Sequence, residues 1–147
     1  MGLERITAVT QGVPTVFDIE VFQEIFALLN SLSGKTYAEA ERSFRIIADH
    51  IRAATFIIGD QHGVAPSNVG QGYIVRRLLR RAIREGKRIG INTTFTVKIA
   101  EVVIKLFGGH YTELVTNQDR IISELTKEEE KFGHTIENGM KELEKMM

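Results

Sequence analysis

Residues 66–88 restrict the fold of this chain more than any other segment, and they read PSNVGQGYIVRRLLRRAIREGKR. On a helix with ~100° per residue, the basic side chains of this segment occupy one arc of roughly 140°, and apolar side chains fill roughly the other half. The basic residues are Arg76, Arg77, Arg80, Arg81, Arg84, Lys87 and Arg88, and Tyr73 projects into their arc. The pattern predicts an amphipathic helix with one strongly positive face.

A helix face of one charge sign indicates a binding partner of the opposite charge. Solubility alone does not require a single sign, since mixed charges would keep the face hydrated equally well. Over the whole chain 19 Lys and Arg residues balance 19 Asp and Glu residues, yet residues 70–98 hold eight basic residues and one acidic residue. Charge segregated in this way indicates a polyanionic partner, and nucleic acid fits best.

Apolar residues recur at helical spacing along most of the chain. We predict helices over residues 18–31, 36–58, 70–85, 94–107 and 118–147, with caps at Asp18, Thr36 and Asn117 and a turn at 111–115. Residues 59–68 gather Gly, Asp, Pro, Ser and Asn and are predicted to form a loop. The first dozen residues are predicted to be extended. The expected fold is therefore all-α, a bundle of about five helices with a long C-terminal helix and a short extended N-terminal segment.

The sequence holds few groups for catalysis. It has no cysteine, and its four histidines are far apart, so we predict no metal site. His50 follows Asp49 on a predicted helix and is interpreted as structural. Residues 126–131, TKEEEK, are interpreted as a solvated helix face rather than as paired catalytic carboxylates. No stretch approaches the ~20 apolar residues of a membrane span, and the N-terminus has no signal-peptide pattern, which predicts a cytoplasmic location.

The loop before the basic helix permits two interpretations. Ser67 or Asn68 could cap the start of the helix, and Gly70 and Gly72 could let the backbone approach a partner closely. The Asn68 amide also carries both donors and an acceptor, which is the equipment for contacting a base edge while arginines hold phosphates. The sequence leaves open whether these polar side chains cap the helix or bind a ligand.

Four segments resemble alanyl-tRNA synthetases, and they follow the order of that family. They are residues 2–6 (GLERI), 9–12 (VTQG), 45–53 (RIIADHIRA) and 66–73 (PSNVGQGY), the last followed by the RRLLRRA helix. The resemblance extends over essentially the whole chain. It implies that residues 1–12 are the C-terminal end of a class II catalytic domain, with the end of motif 3, and that residues 13–147 are a helical domain that recognises the acceptor stem of alanine tRNA.

The same resemblance implies roles for individual residues. Gly2 and Arg5 match motif 3, where the arginine contacts ATP phosphates in that family, and Asn68 matches the asparagine that contacts the G·U pair of the acceptor stem. Together with the positive helix face and the loop before it, the resemblance gives a predicted tRNA-binding set of Ser67, Asn68, Tyr73, Arg76, Arg77, Arg80, Arg81, Arg84, Lys87 and Arg88. The chain departs from the family where Gln61 and His62 lengthen the loop, and where Val69 and Gln71 replace the usual glutamate and arginine.

The resemblance also sets expectations for activity. The parent enzyme would use ATP and Mg²⁺ to activate alanine and would transfer it to tRNA. Motifs 1 and 2, the zinc-binding and proofreading sequences, and the aspartate that accompanies the asparagine in that family have no match in this sequence. We therefore expect this chain alone to bind tRNA without catalysis, cofactor or zinc. The alternative is a freestanding helical adaptor that binds a polyanion or an acidic protein through its basic helix.

Overall fold

The computed structural model describes residues 20–146, with side-chain surroundings given for residues 22–136 and 138–139. This part of the chain forms six helices and no strand. They are α1 Glu20–Ser33, α2 Glu41–Gly59, α3 Gly70–Arg88, α4 Thr96–Phe107, α5 Thr112–Thr116 and α6 Gln118–Met146. The all-α fold and the long C-terminal helix are confirmed, and the predicted turn at 111–115 is the short helix α5. The predicted Asp18 cap and extended N-terminal segment lie outside the described residues.

Helix α2 is the centre of the bundle and contacts all of the other described helices. The stripe predicted from its sequence is fully buried, and it consists of Phe44, Ile47, Ala48, Ile51, Ala54, Thr55 and Ile58. Burial of large side chains at this spacing gives α2 one continuous apolar face, and removal of that face from water is the main force that holds the bundle together. Helix α3 packs chiefly against α2, and its Val75, Leu79 and Ala82 are buried in the core.

Helix α3 ends at Arg88, later than the end near Gly86 that the sequence predicted. A Cβ atom at Gly86 would lie 2.4 Å from the ring of Phe95, so this glycine permits close packing and does not end the helix. The chain leaves the helix at Gly90, which has a φ of 93°, and the N–H of Ile91 donates to the carbonyl of Gly86 at 2.9 Å. A left-handed glycine after the last turn is a common helix ending.

Helix α2 begins at Glu41, so the predicted cap at Thr36 is wrong. Thr36 and Glu39 instead form a separate turn. The Thr36 N–H donates to Glu39 Oε1 at 3.1 Å, and the Glu39 N–H donates to Thr36 Oγ1 at 3.3 Å. In these reciprocal bonds each side chain accepts the backbone N–H of the other residue, so the turn satisfies both N–H groups without help from another helix. The same bond to the backbone of Thr36 lowers the pKa of Glu39.

Helix α6 is tied to the ends of α2 and α4 by polar side chains. The Arg120 guanidinium donates two hydrogen bonds to the Ile58 carbonyl, at 3.1 and 2.9 Å, and the Asn117 amide donates to the Gly59 carbonyl at 2.9 Å. A cation at the carboxyl end of a helix also interacts favourably with the helix dipole. These contacts satisfy carbonyls that the last turn of α2 would otherwise leave without partners.

The predicted solvated face at residues 126–131 is wrong for two of its members, because Glu128 and Glu129 are buried, with 3% and 6% exposure. Glu129 accepts the backbone N–H groups of Phe95 and Thr96, at 3.0 and 3.1 Å, and the Thr96 hydroxyl at 2.6 Å. From its place on α6, Glu129 therefore pairs with the first backbone N–H groups of α4 and puts a negative charge at the positive end of that helix. Glu128 faces α3.

Candidate nucleic-acid interface

The positive face of α3 borders an open groove of about 580 Å³. Its lining contains Asn68, Tyr73, Arg76, Arg77, Arg80, Arg81, Arg84, Glu85 and Arg88, together with Arg42 from α2. Eight of the ten residues predicted to bind tRNA are thus brought together. The other two, Ser67 and Lys87, lie outside the groove lining. Lys87 instead lines a separate cavity of about 220 Å³, which it shares with Glu129 and Glu130.

The arginines of the groove fall into two rows on α3. The outer row consists of Arg77, Arg81, Arg84 and Arg88, which are exposed. Within the described part of the chain, Arg77, Arg81 and Arg84 form no ion pair with an acidic side chain, and Arg88 lies 3.7 Å from Glu85 while remaining 65% exposed. Successive members are three or four residues apart, so the row runs along one side of the helix for about 16 Å.

The inner row consists of Arg76 and Arg80, and it faces α6. Arg76 Nε donates to both carboxylate oxygens of Glu128, at 2.9 and 3.0 Å, and the Arg76 side chain is only 11% exposed. Arg80 Nη2 lies 3.8 Å from the same carboxylate, and its guanidinium lies 4.9 Å from the centre of the Phe132 ring. A buried carboxylate requires such compensation, since an unpaired charge in the interior is costly.

The inner row changes the interpretation of the positive stripe. The sequence pattern suggested that the whole stripe needs an external anion, but Glu128 supplies an anion from within the chain to two of its members. Among the described residues, Arg77, Arg81 and Arg84 of this stripe have no such internal anion. No local signal in the sequence identifies Glu128 as the partner, because 52 residues separate it from Arg76.

The loop before α3 is organised by Ser67, but not as a helix cap. The residue before the helix is Val69, and no side chain caps it. The Ser67 hydroxyl donates to the Val69 carbonyl at 3.0 Å, and the Ser67 N–H donates to the Gly72 carbonyl at 3.0 Å. A Cβ atom at Gly72 would lie 2.1 Å from Ser67 Oγ. The close approach that Gly72 permits is therefore made by the loop itself, and of the two interpretations left open by the sequence, a side-chain cap from Ser67 or Asn68 is not formed.

Asn68 lies exposed at the end of the groove, beside the first turn of α3. Its Oδ1 atom accepts a hydrogen bond from Nη1 of Arg76. Gly70, two residues after Asn68, has a φ of 58°, a backbone conformation that residues with a side chain rarely adopt. The glycine thus lets the chain turn sharply into the helix while Asn68 remains at the surface next to the inner row.

Three apolar side chains near Asn68 are unusually exposed. Val69, Tyr73 and Ile74 are 75%, 47% and 56% exposed. The Arg77 guanidinium lies 5.8 Å from the centre of the Tyr73 ring, which holds the ring beside the outer row through a cation–π contact. A base or sugar could contact this apolar surface while the arginines contact phosphates.

Sequence reasoning missed one basic residue of the groove. Arg42 belongs to the first turn of α2 and lines the same groove as Arg84 and Arg88. It is exposed, and no described acidic residue forms an ion pair with it. Helical periodicity could not reveal this residue, because its place in the groove depends on how α2 packs against α3.

His50, which the sequence interpretation takes as structural, lies beside the Asp49 carboxylate. His50 Nδ1 lies 3.3 Å from Asp49 Oδ2, and Arg52 Nη2 lies 3.4 Å from Asp49 Oδ1. Interaction with His50 is the largest cause that lowers the pKa of Asp49, and the charge of Arg52 adds to it. Within the described residues no group of three or more His, Asp or Glu side chains could hold a metal ion, and no helix is long and apolar enough to cross a membrane.

Comparison with known proteins agrees with the resemblance. Residues 1–147 match the family described as tRNA synthetases class II (A). An alanine–tRNA ligase from Pediococcus pentosaceus is 45% identical over 143 residues, which cover 95% of this chain. Those of Borreliella afzelii and Streptococcus mutans are both 44% identical, over 149 and 148 residues, which cover 99% of it.

The chain belongs to the class II alanyl-tRNA synthetase family. It spans 16% of the length of the Pediococcus relative, 25% of the Borreliella relative and 17% of the Streptococcus relative. The match therefore relates this chain to one segment of those longer synthetases. The two residues that the resemblance connects with ATP, Gly2 and Arg5, fall within the matched range but outside the described residues.

Proposed function

We propose that this chain is the segment of an alanine–tRNA ligase that binds the acceptor stem of alanine tRNA. The observation that carries the proposal is the outer row, an exposed line of arginines without ion-pair partners among the described residues, apart from the contact of Arg88 with Glu85. Phosphates are the complementary ligand, and the names of the relatives supply the class of nucleic acid.

Within this proposal the arginines and Asn68 have different roles. The outer row and Arg42 contact phosphates, which provides affinity that is independent of sequence. Asn68 contacts a base pair. The minor groove of an RNA helix is wide and shallow, so a short amide side chain can reach the acceptor atoms of the base edges there. The G·U pair implied by the resemblance is the proposed target.

The proposal extends to the parent enzyme. We assign residues 1–12 to the end of its catalytic domain and residues 13–147 to its tRNA-binding domain. Gly2 and Arg5 would contact ATP, and the parent enzyme would use ATP and Mg²⁺ to activate alanine in the cytoplasm. An arginine suits that role because its planar guanidinium binds phosphate oxygens through two parallel hydrogen bonds.

We further propose that the chain alone binds tRNA without attaching alanine to it. An aminoacylation assay with alanine, ATP, Mg²⁺ and alanine tRNA tests this, first with the chain alone and then with an added N-terminal catalytic segment from a relative. We expect product only in the second reaction. Alanine attached by the chain alone would contradict the proposal.

The binding proposal is tested by titrating the chain with three fluorescent ligands. They are an acceptor-stem minihelix with a G·U pair, the same minihelix with a G·C pair, and an acidic polypeptide of equal charge. We expect binding that weakens steeply with salt, and tightest binding to the G·U minihelix. If the minihelices bind no better than the acidic polypeptide, the chain is a general polyanion adaptor and the proposal fails.

A further inference from the structure

Three residues from three parts of the chain form one continuous set of contacts. Glu128 on α6 accepts two hydrogen bonds from Arg76 Nε, at 2.9 and 3.0 Å. Arg76 on α3 in turn donates from Nη1 to Oδ1 of Asn68, in the loop before α3. One guanidinium therefore links a buried carboxylate to an exposed amide.

The carboxylate end of this set is fixed by burial. The Glu128 side chain is 2% exposed and Arg76 is 11% exposed, whereas Asn68 is exposed. Arg80 lies 3.8 Å from the same carboxylate and packs its guanidinium against Phe132. A guanidinium held by two hydrogen bonds to an enclosed carboxylate has little freedom to rotate. Its remaining N–H groups are therefore held in fixed directions.

The chemistry of the guanidinium determines the orientation of the Asn68 amide. Arginine has five N–H donors and no acceptor, so only the amide oxygen of Asn68 can contact it. The Nδ2 group then points away from Arg76. Apart from this contact with Arg76, no other described side chain forms a hydrogen bond with the Asn68 amide. Without Arg76 the two ends of the amide could exchange places by rotation about the last side-chain bond.

We propose that Glu128 and Arg76 are positioning residues that hold the Asn68 amide with its N–H donors free for a base edge. The proposal rests on the proposed function, because it assumes that Asn68 contacts a base pair. A fixed amide presents donors to acceptor atoms, whereas a freely rotating amide would present donor and acceptor equally. The buried pair therefore determines which base-pair edge the loop prefers, although neither member needs to contact that base pair.

The orientation of the amide is tested first in the free protein, without RNA. The ¹⁵N relaxation of the Asn68 side-chain amide reports how rigidly it is held. We expect a rigid amide in the natural chain and a mobile one in Glu128→Gln, where Arg76 loses its charged anchor. Glu130→Gln is the matched control, because it removes the same charge from an exposed position on the same helix. An Asn68 amide that is equally rigid in Glu128→Gln would overturn the proposal.

A second variant protects this test against loss of folding. Arg76→Lys keeps a positive charge for Glu128, but a single ammonium group cannot reproduce the planar set of donors that reaches both partners. We expect Arg76→Lys to remain folded and to release the Asn68 amide. A folded Arg76→Lys chain with a rigid amide would contradict the positioning role.

The consequence for recognition is then measured with the G·U and G·C minihelices. In Arg76→Lys we expect the preference for G·U to fall by about fivefold or more, the low end of what one good base contact contributes. We expect affinity for the G·C minihelix to fall by a smaller factor than affinity for the G·U minihelix. An unchanged preference with a mobile amide would overturn the proposal. If the natural chain itself shows no preference, the proposed function fails, while the relaxation data still decide whether Glu128 and Arg76 hold the amide.

Discussion

The inner and outer rows of α3 contain the same residue type, interleaved in sequence, in two different environments. Arg76 and Arg80 lie against α6 and share the Glu128 carboxylate, whereas Arg77, Arg81 and Arg84 face solvent without a described acidic partner. The difference arises from a rotation of about 100° between neighbouring residues, which turns one toward the bundle and the next toward water.

A helix face of one charge sign can therefore contribute to folding and to binding at the same time. The inner row neutralises a carboxylate that would be prohibitively costly to bury alone. The outer row leaves positive charge available for a ligand. Substitutions in the two rows should therefore affect different properties, and three predictions test this separation.

The largest effect is expected for Arg76→Ala. This change leaves Glu128 with only the more distant Arg80, so we expect a loss of about 3 kcal/mol in the free energy of unfolding, the range for removal of one partner of a buried ion pair. Urea denaturation of Arg76→Ala and of Arg77→Ala, its matched neighbour, measures the contrast. Equal losses in the two variants would remove the distinction between the rows.

An intermediate effect is expected for Arg80→Ala. This side chain is 27% exposed, lies 3.8 Å from Glu128 and contacts the Phe132 ring. We expect a loss of about 1 kcal/mol, from the cation–π contact and the packing of the aliphatic part of the side chain. The same denaturation experiment checks it, and a loss larger than that of Arg76→Ala would show that Arg80 is the principal partner of Glu128.

The smallest effect on stability is expected for Arg81→Ala in the outer row. We expect a change within about 0.5 kcal/mol, as for other exposed substitutions. The plot of log affinity for an acceptor-stem minihelix against log salt concentration should lose about one unit of slope, because one phosphate contact disappears. An unchanged slope would remove Arg81 from the interface.

Much of the fold was predictable because burial in this chain follows helical periodicity. The stripe of α2 and the amphipathic α3 were both found from spacing alone. The errors occurred where a distant contact determines the structure. Gly86 indicated a helix end, but it permits close packing against Phe95. The TKEEEK segment indicated a solvated face, but Glu128 binds Arg76 of α3 and Glu129 binds Thr96 at the start of α4.

The candidate site was predictable to a similar degree. The positive face of α3 was predictable from the helical spacing of its basic residues, and Asn68 was singled out by its amide group and by the family resemblance. The division of the arginines into two rows and the place of Arg42 in the groove were not predictable, because both depend on which helices pack against α3. The Ser67 hydroxyl and N–H bind the backbone of its own loop, and a role of Ser67 in tRNA binding stays a prediction.

In the proposed interface the outer row provides affinity and Asn68 provides specificity. The most direct test is to measure the binding of the G·U and G·C minihelices to Asn68→Ala and to Arg81→Ala at the same salt concentration. We expect Asn68→Ala to lose most of its preference for G·U with little loss of affinity for G·C, and Arg81→Ala to bind both minihelices more weakly by the same factor. The reverse pattern, with preference lost in Arg81→Ala and retained in Asn68→Ala, would contradict it.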